Sequence, residues 1–403
     1  MLEAELRGAV SDRDIVIVGG GLVGHSMAIA LSGLGFKLAI LDNKIKPSAP
    51  IAPLSEGPSK ALALSLATQR FLQTVGIWAD IQHKISPISA VHVSEQGRFG
   101  RTLIEASKHS LPALGFVVDS LELEHHLCTK VATLPDVALL HGATVKDYRA
   151  LNVPLVIAAD GTHSRIRDNA GITTKVHDYQ QTAIVANLSV KHPVNGVAYE
   201  RFTQVGPIAL LPLGDKKVKC VWVVSGAEKA QALCALPEKA FIEALGHAFG
   251  HRLGPVLSLG LRNTYPLVSR VADTLYANGL VLMGNAAATL HPIAAQGFNL
   301  AVRDIATLAE ALWHAKLGGQ SLDDVRILQS YAHSRMPDRN AVIGLTHGLS
   351  SSFEITRGPV KQLRHWGLVL CDTVPVLKRW ITRRGVGFAY PLPKLCCGVP
   401  LCP

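Results

Sequence analysis

The 403-residue chain is 48% hydrophobic and 17% charged, a balance that excludes a disordered chain and supplies a sizeable core. Its length predicts two or three domains. Against 30 acids stand 40 lysines and arginines, a formal charge of +10 that suits a phosphate-bearing ligand, an anionic membrane surface or nucleic acid, or serves solubility alone.

Residues 1–14 mix Glu, Arg and Asp without an apolar core, unlike a secretory leader. No run of 18 apolar residues follows, so no membrane-spanning helix is predicted. The 7 cysteines are too sparse for a disulfide scaffold and predict a reducing, cytoplasmic setting. Cys396-Cys397-x4-Cys402 lacks the paired spacing of a zinc site, and no metal is expected.

In chain order, Asp14-Ile-Val-Ile-Val18 has the β-branched pattern of a buried parallel strand. Gly19-Gly-Gly21-Leu22-Val23-Gly24 follows at once and fits G-x-G-x-x-G, with residues 25–34 reading as a helix and Leu38–Leu41 as a second strand. Gly19 permits the tight turn, Gly21 lets backbone approach a pyrophosphate, and Gly24 allows close helix–strand packing. Asp42 lies 18 residues beyond Gly24, near the roughly 20 expected of an acid that holds a ribose hydroxyl. Strand, glycines, helix, strand and acid in this order predict a dinucleotide site, and the acid favours FAD or NAD over NADP.

A further strand, 153–159, ends in Asp160-Gly161, and another, 279–283, ends in Gly284-Asn285. His291-Pro292-Ile-Ala-Ala295-Gln296-Gly297 then leads into a helix from Phe298 to about Ala315. In an open parallel sheet the ligand edge lies at such carboxyl ends, and a helix N-terminus favours an anion. Between them, 183–190, 199–203, 208–211 and 219–224 read as strands of a second sheet with a helix over 237–249. Helices are predicted over 298–316, about 322–350, and 359–380. Residues 357–403 hold 8 basic side chains and the single acid Asp372, so this tail carries +7 of the +10, interleaved with Trp366, Trp380 and leucines. That pairing suits an interfacial membrane segment, and equally a helix packed on the body with a solvated basic edge. No motif points to nucleic acid.

The motifs GGGLVG, AADGTHSRIR and GNAAATLHPIAAQGFNLAVRD resemble the three FAD motifs of the single-component flavoprotein aromatic hydroxylases, the para-hydroxybenzoate hydroxylase-like monooxygenases. HVSEQGRFG, ALGFVVD, ERFTQVGPIALLPL and GNAA in place of GDAA are similar to their ubiquinone-biosynthesis branch, in particular the 2-octaprenyl-6-methoxyphenol hydroxylases. The resemblance implies an α/β fold: a Rossmann-like, glutathione-reductase-type FAD domain (1–175 and 275–325) with an inserted α+β substrate domain (176–274) and C-terminal helices with a basic tail (326–403). It implies that Gly19, Gly21, Leu22, Val23 and Gly24 cradle the FAD pyrophosphate and that Asp42 holds the adenosine ribose. Lys60, Asp160, Gly161, Gly284, Asn285 and Asn299 are further implied cofactor contacts. His291, Pro292, Ala295, Gln296, Gly297 and Phe298 border the isoalloxazine and the substrate, though Phe298 suits plain core packing too.

The implied activity is hydroxylation of a polyprenylated phenol with NADH or NADPH as transient donor and O2, through a flavin hydroperoxide. The cofactor carries the chemistry, so no residue is assigned as a catalytic acid, base or nucleophile. Expected surroundings are the cytoplasmic side of the inner membrane as a peripheral protein, with other ubiquinone-biosynthesis proteins as partners. Three departures from the family pattern stand out: Lys60 replaces an arginine, Ala295 replaces a glycine, and 142–153 is shorter than the family's β-meander. They motivate one alternative, a non-catalytic or weakly active scaffold subunit of a quinone-biosynthesis complex; a second alternative, which keeps the FAD motifs, is another flavin oxidoreductase of the polyprenyl reductase type.

Overall fold

The computed structural model describes residues 3–44, 61–98, 100–292, 295–354 and 370–402. At its centre lies a six-stranded sheet in the order Tyr276–Ala277, Leu280–Leu282, Leu155–Ala158, Ile15–Val18, Leu38–Asp42, Val137–His141. All but the first of these run parallel. Ile15–Val18 and Leu155–Ala158 are buried at every position, which is why both read as unbroken apolar runs rather than alternating ones: each face is covered. The covering helices include Leu22–Leu31, buried from Gly24 to Leu31, and Gly297–Leu317, which pack on each other. Residues 142–153 form no strand beyond the short 3-10 turn Tyr148–Leu151, so the sheet ends at Val137–His141 with the trimmed edge expected from sequence.

The second, nine-stranded sheet is built around the long strand Thr174–Val190, flanked by Asn263–Ala272 and Lys217–Ser225. Pro207–Pro212 and Val197–Phe202 continue it antiparallel. Its strands alternate as a half-covered sheet should. Val218, Cys220, Trp222 and Val224 join Ile184, Leu188, Ile208 and Leu210 beneath the helix Glu238–Phe249, in a core of their own. Val221 and Val223 face the other way, with Ala183, Leu267 and Tyr179.

This sheet exceeds the expected bounds of 176–274. Ala90–Glu95 adds to it in parallel beside Val197–Phe202, Arg101–Glu105 follows, and Ala288–Thr289 closes the opposite edge. The pairing joins segments more than 100 residues apart, so no local periodicity announces it.

Val325–Glu354 follows as a long helix lying against Gly297–Leu317. The helix expected over 359–380 differs where it is described: it breaks at Val374, and a new helix runs Pro375–Gly385. Pro375 lacks an N–H, and its ring disfavours helical backbone at the residue before it; Val374 is accordingly extended at φ −95°, ψ 106°. Residues 386–402 then fold back onto the first domain. The turn Lys394–Cys397 lies against the helices Leu66–Thr74 and Gly297–Leu317, with Leu395 and Cys396 buried.

Candidate active site

The carboxyl ends of four adjacent strands interlock. The Gly19 N–H donates to the Leu41 carbonyl at 2.8 Å, Ala159 N–H to Val18 at 2.8 Å, and Met283 N–H to Ala158 at 2.9 Å. Gly19 turns at φ +113°, and a side chain there would run into the Ala159 carbonyl. A side chain on Gly24 would strike the Gly19 carbonyl. These two glycines are therefore demanded by packing, whereas the space beside Gly21 is open. Gly21 begins the helix Leu22–Leu31 with no side-chain cap and no acid in the first turn, so its orphan N–H groups are left for an anion.

Asp42 ends its strand with the carboxylate folded back over this loop: a side chain on Gly20 would lie 2.5 Å from Asp42 Oδ2. Its Oδ1 accepts the Lys44 N–H at 3.1 Å, and the residue is buried.

Asp160 and Gly161 stand beside the same turn. Gly161 adopts φ +90°. Asp160 Oδ2 accepts the Ile166 N–H at 3.4 Å, while its Oδ1 is buried with no hydrogen-bond partner. A buried, unsatisfied carboxylate oxygen calls for a donor from a ligand. Gly284, at φ +58°, closes on Val23, whose methyl would sit 2.8 Å from a Cβ there. Val23 thus serves as a seat between two motifs. Asn285 is exposed at the same edge.

The linchpin of the second and third motifs is Arg167, fully buried, which sequence reasoning left unassigned. Its Nη1 donates to the carbonyls of Thr162 and Ala286, both at 3.2 Å, and it pairs with Asp168 at 2.9 Å. Thr289 Oγ1 adds a bond to Thr162 Oγ1 at 2.9 Å.

The loop into Gly297–Leu317 holds the remaining expected residues. Ala295 takes φ +48°, the left-handed region that favours glycine. Gln296 is the N-cap, contributing no side-chain cap, and no acid lies in the first turn of this 21-residue helix. Gly297 opens onto free space, Pro292 is exposed, and Phe298 packs on the main core as the plainer reading of it had it.

Asn299 is a structural hub. Its Oδ1 accepts from Ser65 N–H at 2.8 Å and Thr68 Oγ1 at 2.7 Å, while Nδ2 donates to Ala63 at 2.8 Å and Ala295 at 3.0 Å. With its amide saturated, it positions the loop rather than offering its side chain to a ligand. Lys60 lies outside the described residues.

His291 is buried where the first domain meets the large sheet. Its Nε2 lies 3.2 Å from Gln181 Oε1, and its ring stands edge-on to Tyr179 at 4.8 Å. Burial pushes its pKa down to about 4, so it is a neutral imidazole at physiological pH. Tyr179 and Gln181 were not singled out from sequence; the only signal was their place at the start of a strand whose apolar alternation begins after them. Among the described residues no group of three or more His, Cys, Asp or Glu side chains gathers as a metal site would.

The pieces fit FAD: a tight glycine turn with open space at Gly21, two uncapped helix N-termini and an orphan carboxylate oxygen converge on one sheet edge. The family model described as an FAD binding domain matches residues 12–346. The chain belongs to this FAD-binding family and is an FAD-dependent monooxygenase.

It is 32% identical over 405 residues to the ubiquinone hydroxylase UbiL of Rhodospirillum rubrum, covering 96% of this chain and 93% of the relative. It is 30% identical to the human mitochondrial ubiquinone biosynthesis monooxygenase COQ6, covering 91% of each. Among solved structures, p-nitrophenol 4-monooxygenase PnpA of Pseudomonas putida superposes with a TM-score of 0.72 at 17% identity, over 94% of this chain and 98% of that one. The last likeness is one of fold.

Proposed function

We propose that the protein hydroxylates the ring of a polyprenylated phenol in ubiquinone biosynthesis, taking electrons from NADH or NADPH and one oxygen atom from O2. The observation that carries this reading is the FAD-fitting edge of the six-stranded sheet, with His291 against Tyr179 and Gln181 of the nine-stranded one, in a chain similar along nearly its whole length to ubiquinone hydroxylases. Bound FAD supplies the electron transfer and the activation of O2.

The chain's own part is to bind and to exclude water. Gly21 and the N-termini of Leu22–Leu31 and Gly297–Leu317 hold the anionic part of the cofactor, Asp42 the ribose, and Asp160 Oδ1 a cofactor hydroxyl or amide. His291, neutral and oriented by Gln181, lines the place where the phenol meets the flavin edge. Ala183, Val221, Val223 and Leu267 pack with Tyr179 in a buried apolar cluster beside it, which helps to keep water from the reacting ring. A peripheral place on the inner membrane, beside other ubiquinone-biosynthesis proteins, suits such a substrate, and the basic tail 357–403 supports it.

The test is direct. Purified protein should be yellow with near-stoichiometric flavin, should oxidise NADH or NADPH faster when a prenylphenol is added, and should return that phenol with one more hydroxyl. Cells lacking the protein should accumulate a quinone precursor one hydroxyl short. A colourless protein that no added FAD reconstitutes would establish the scaffold reading. A yellow protein that consumes NAD(P)H while reducing the prenyl chain would establish the reductase reading.

A further inference from the structure

We propose that the helix Pro375–Gly385 and the groove beside it are a docking site for an anionic phospholipid surface. This deepens the membrane-surface reading above, on which it rests, by assigning the contact to particular side chains.

The groove, about 570 Å³, runs between this helix and the turn Lys108–Leu111. Lys108, Lys378, Arg379 and Arg383 line it, and His109 and the single acid Asp372 complete its polar side. Two of the cations are already engaged: Lys378 with Asp372 at 2.8 Å, and Lys108 with Glu105. Arg379 and Arg383 are exposed, one helical turn apart, and form no ion pair among the described residues. Two unneutralised guanidiniums on the rim of an open groove match the charge of lipid phosphates.

The adjacent stripe of the same helix is apolar and bare. Val376 is 77% exposed and Trp380 50% exposed. The Arg384 guanidinium lies 3.9 Å over the Trp380 ring, so the indole carries a cation on one face. Soluble phosphate would need only the arginines; it would leave Val376 and Trp380 in water. A bilayer covers both, with phosphates at the groove and the aromatic ring at headgroup depth. The third side of the helix fixes its orientation. Ile381 packs with Val386 and Phe388 into a cluster that includes Ala198 and Leu211 of the nine-stranded sheet, and the Thr382 hydroxyl lies 3.3 Å from His109 Nε2. The surface presented to the bilayer is therefore packed directly on the nine-stranded sheet.

The experiment is co-flotation of the full-length holoprotein with vesicles of phosphatidylcholine alone or mixed with phosphatidylglycerol. We expect strong preference for the mixed vesicles, lost on the order of 30-fold in R379Q/R383Q, from about 1 kcal/mol per basic residue at an anionic surface. W380A should weaken binding to both vesicle types, and K239Q, an exposed lysine elsewhere, should change nothing. Flavin content and turnover of a short-chain, water-soluble phenol should be unaltered in all three variants; loss of turnover in the wild type would count against the hydroxylase reading and leave the vesicle result standing. Equal binding to neutral and mixed vesicles would overturn the proposal. So would unchanged flotation of R379Q/R383Q, or millimolar inorganic phosphate displacing the protein from the vesicles, which would make the groove a site for the free anion.

Discussion

A single backbone angle gives one residue of the helix-opening loop a measurable cost. Ala295 sits at φ +48°, where an L-side chain costs roughly 1–2 kcal/mol and glycine almost nothing. The neighbouring geometry holds it there: its carbonyl accepts from Asn299, and its N–H donates to Pro292 at 2.9 Å. Ala295→Gly should raise the unfolding free energy by about 1 kcal/mol and the melting temperature by roughly 2 °C, read by thermal unfolding of the holoprotein. A second prediction concerns His291. With its folded pKa at about 4, against 6.5 for the free side chain, the unfolded chain takes up the proton first. Stability is thus intact above about pH 6.5 and falls as the pH drops toward 4, by up to about 3 kcal/mol from this group. Denaturant titrations across that range should show a shallower loss in His291→Gln. Which residue types gather at the flavin edge was legible in the sequence, because glycines and the strand-end acid are set by local backbone. Asn299 was not: its residue type suits a ligand contact, and only the tertiary placement of Ser65, Thr68 and Ala63 reveals that its amide is already satisfied.

At the level of elements, the pairing of Gly297–Leu317 with Val325–Glu354 rests on a buried charge network. Asp338 accepts from Arg303 Nε at 2.7 Å and Arg335 Nη2 at 2.5 Å, and Asp304 accepts from Arg335 Nε at 2.7 Å and also from Arg339. All five side chains are almost wholly buried. Burying charge is unfavourable unless every partner is present, so Asp338→Asn, which removes the carboxylate paired with Arg303 and one of the two paired with Arg335, should destabilise by about 3–5 kcal/mol. Because water and salt do not reach the network, the loss should be nearly the same at low and high ionic strength, a contrast that chemical denaturation at two salt concentrations would display. Periodicity located both helices from the sequence. The pairing of charges across them was not legible, since neither helix alone shows which face the other will cover.

For the molecule as a whole, the tail proves to be two things. Its helix Pro375–Gly385 presents basic and apolar groups outward, whereas residues 386–402 belong to the core. Val386, Leu395, Cys396 and Leu401 are buried, the Ala67 N–H donates to the Val386 carbonyl at 3.3 Å, and the Thr74 hydroxyl donates to that of Leu395 at 3.2 Å. Removing residues 386–403 should cost at least about 5 kcal/mol from lost apolar burial and yield aggregated, flavin-poor protein, as judged by gel filtration and absorbance. Leu395→Ala alone should cost about 2–5 kcal/mol. Charge counting located the basic excess in the tail correctly, but it could not separate the outward helix from the inward turn, because burial of Leu395 and Cys396 depends on the helix Leu66–Thr74, more than 300 residues earlier in the chain.

That inward turn also sets when the protein can come into being. Ile15–Val18 has Leu155–Ala158 as one of its two neighbours, which is itself flanked by Leu280–Leu282, and the helices Leu66–Thr74 and Gly297–Leu317 are closed by the turn Lys394–Cys397, more than 300 residues beyond the first strand. Such long-range closure is slow. The cofactor half therefore closes only once that turn is in place, and until then its own apolar strands and helices are what a chaperone would have to shield.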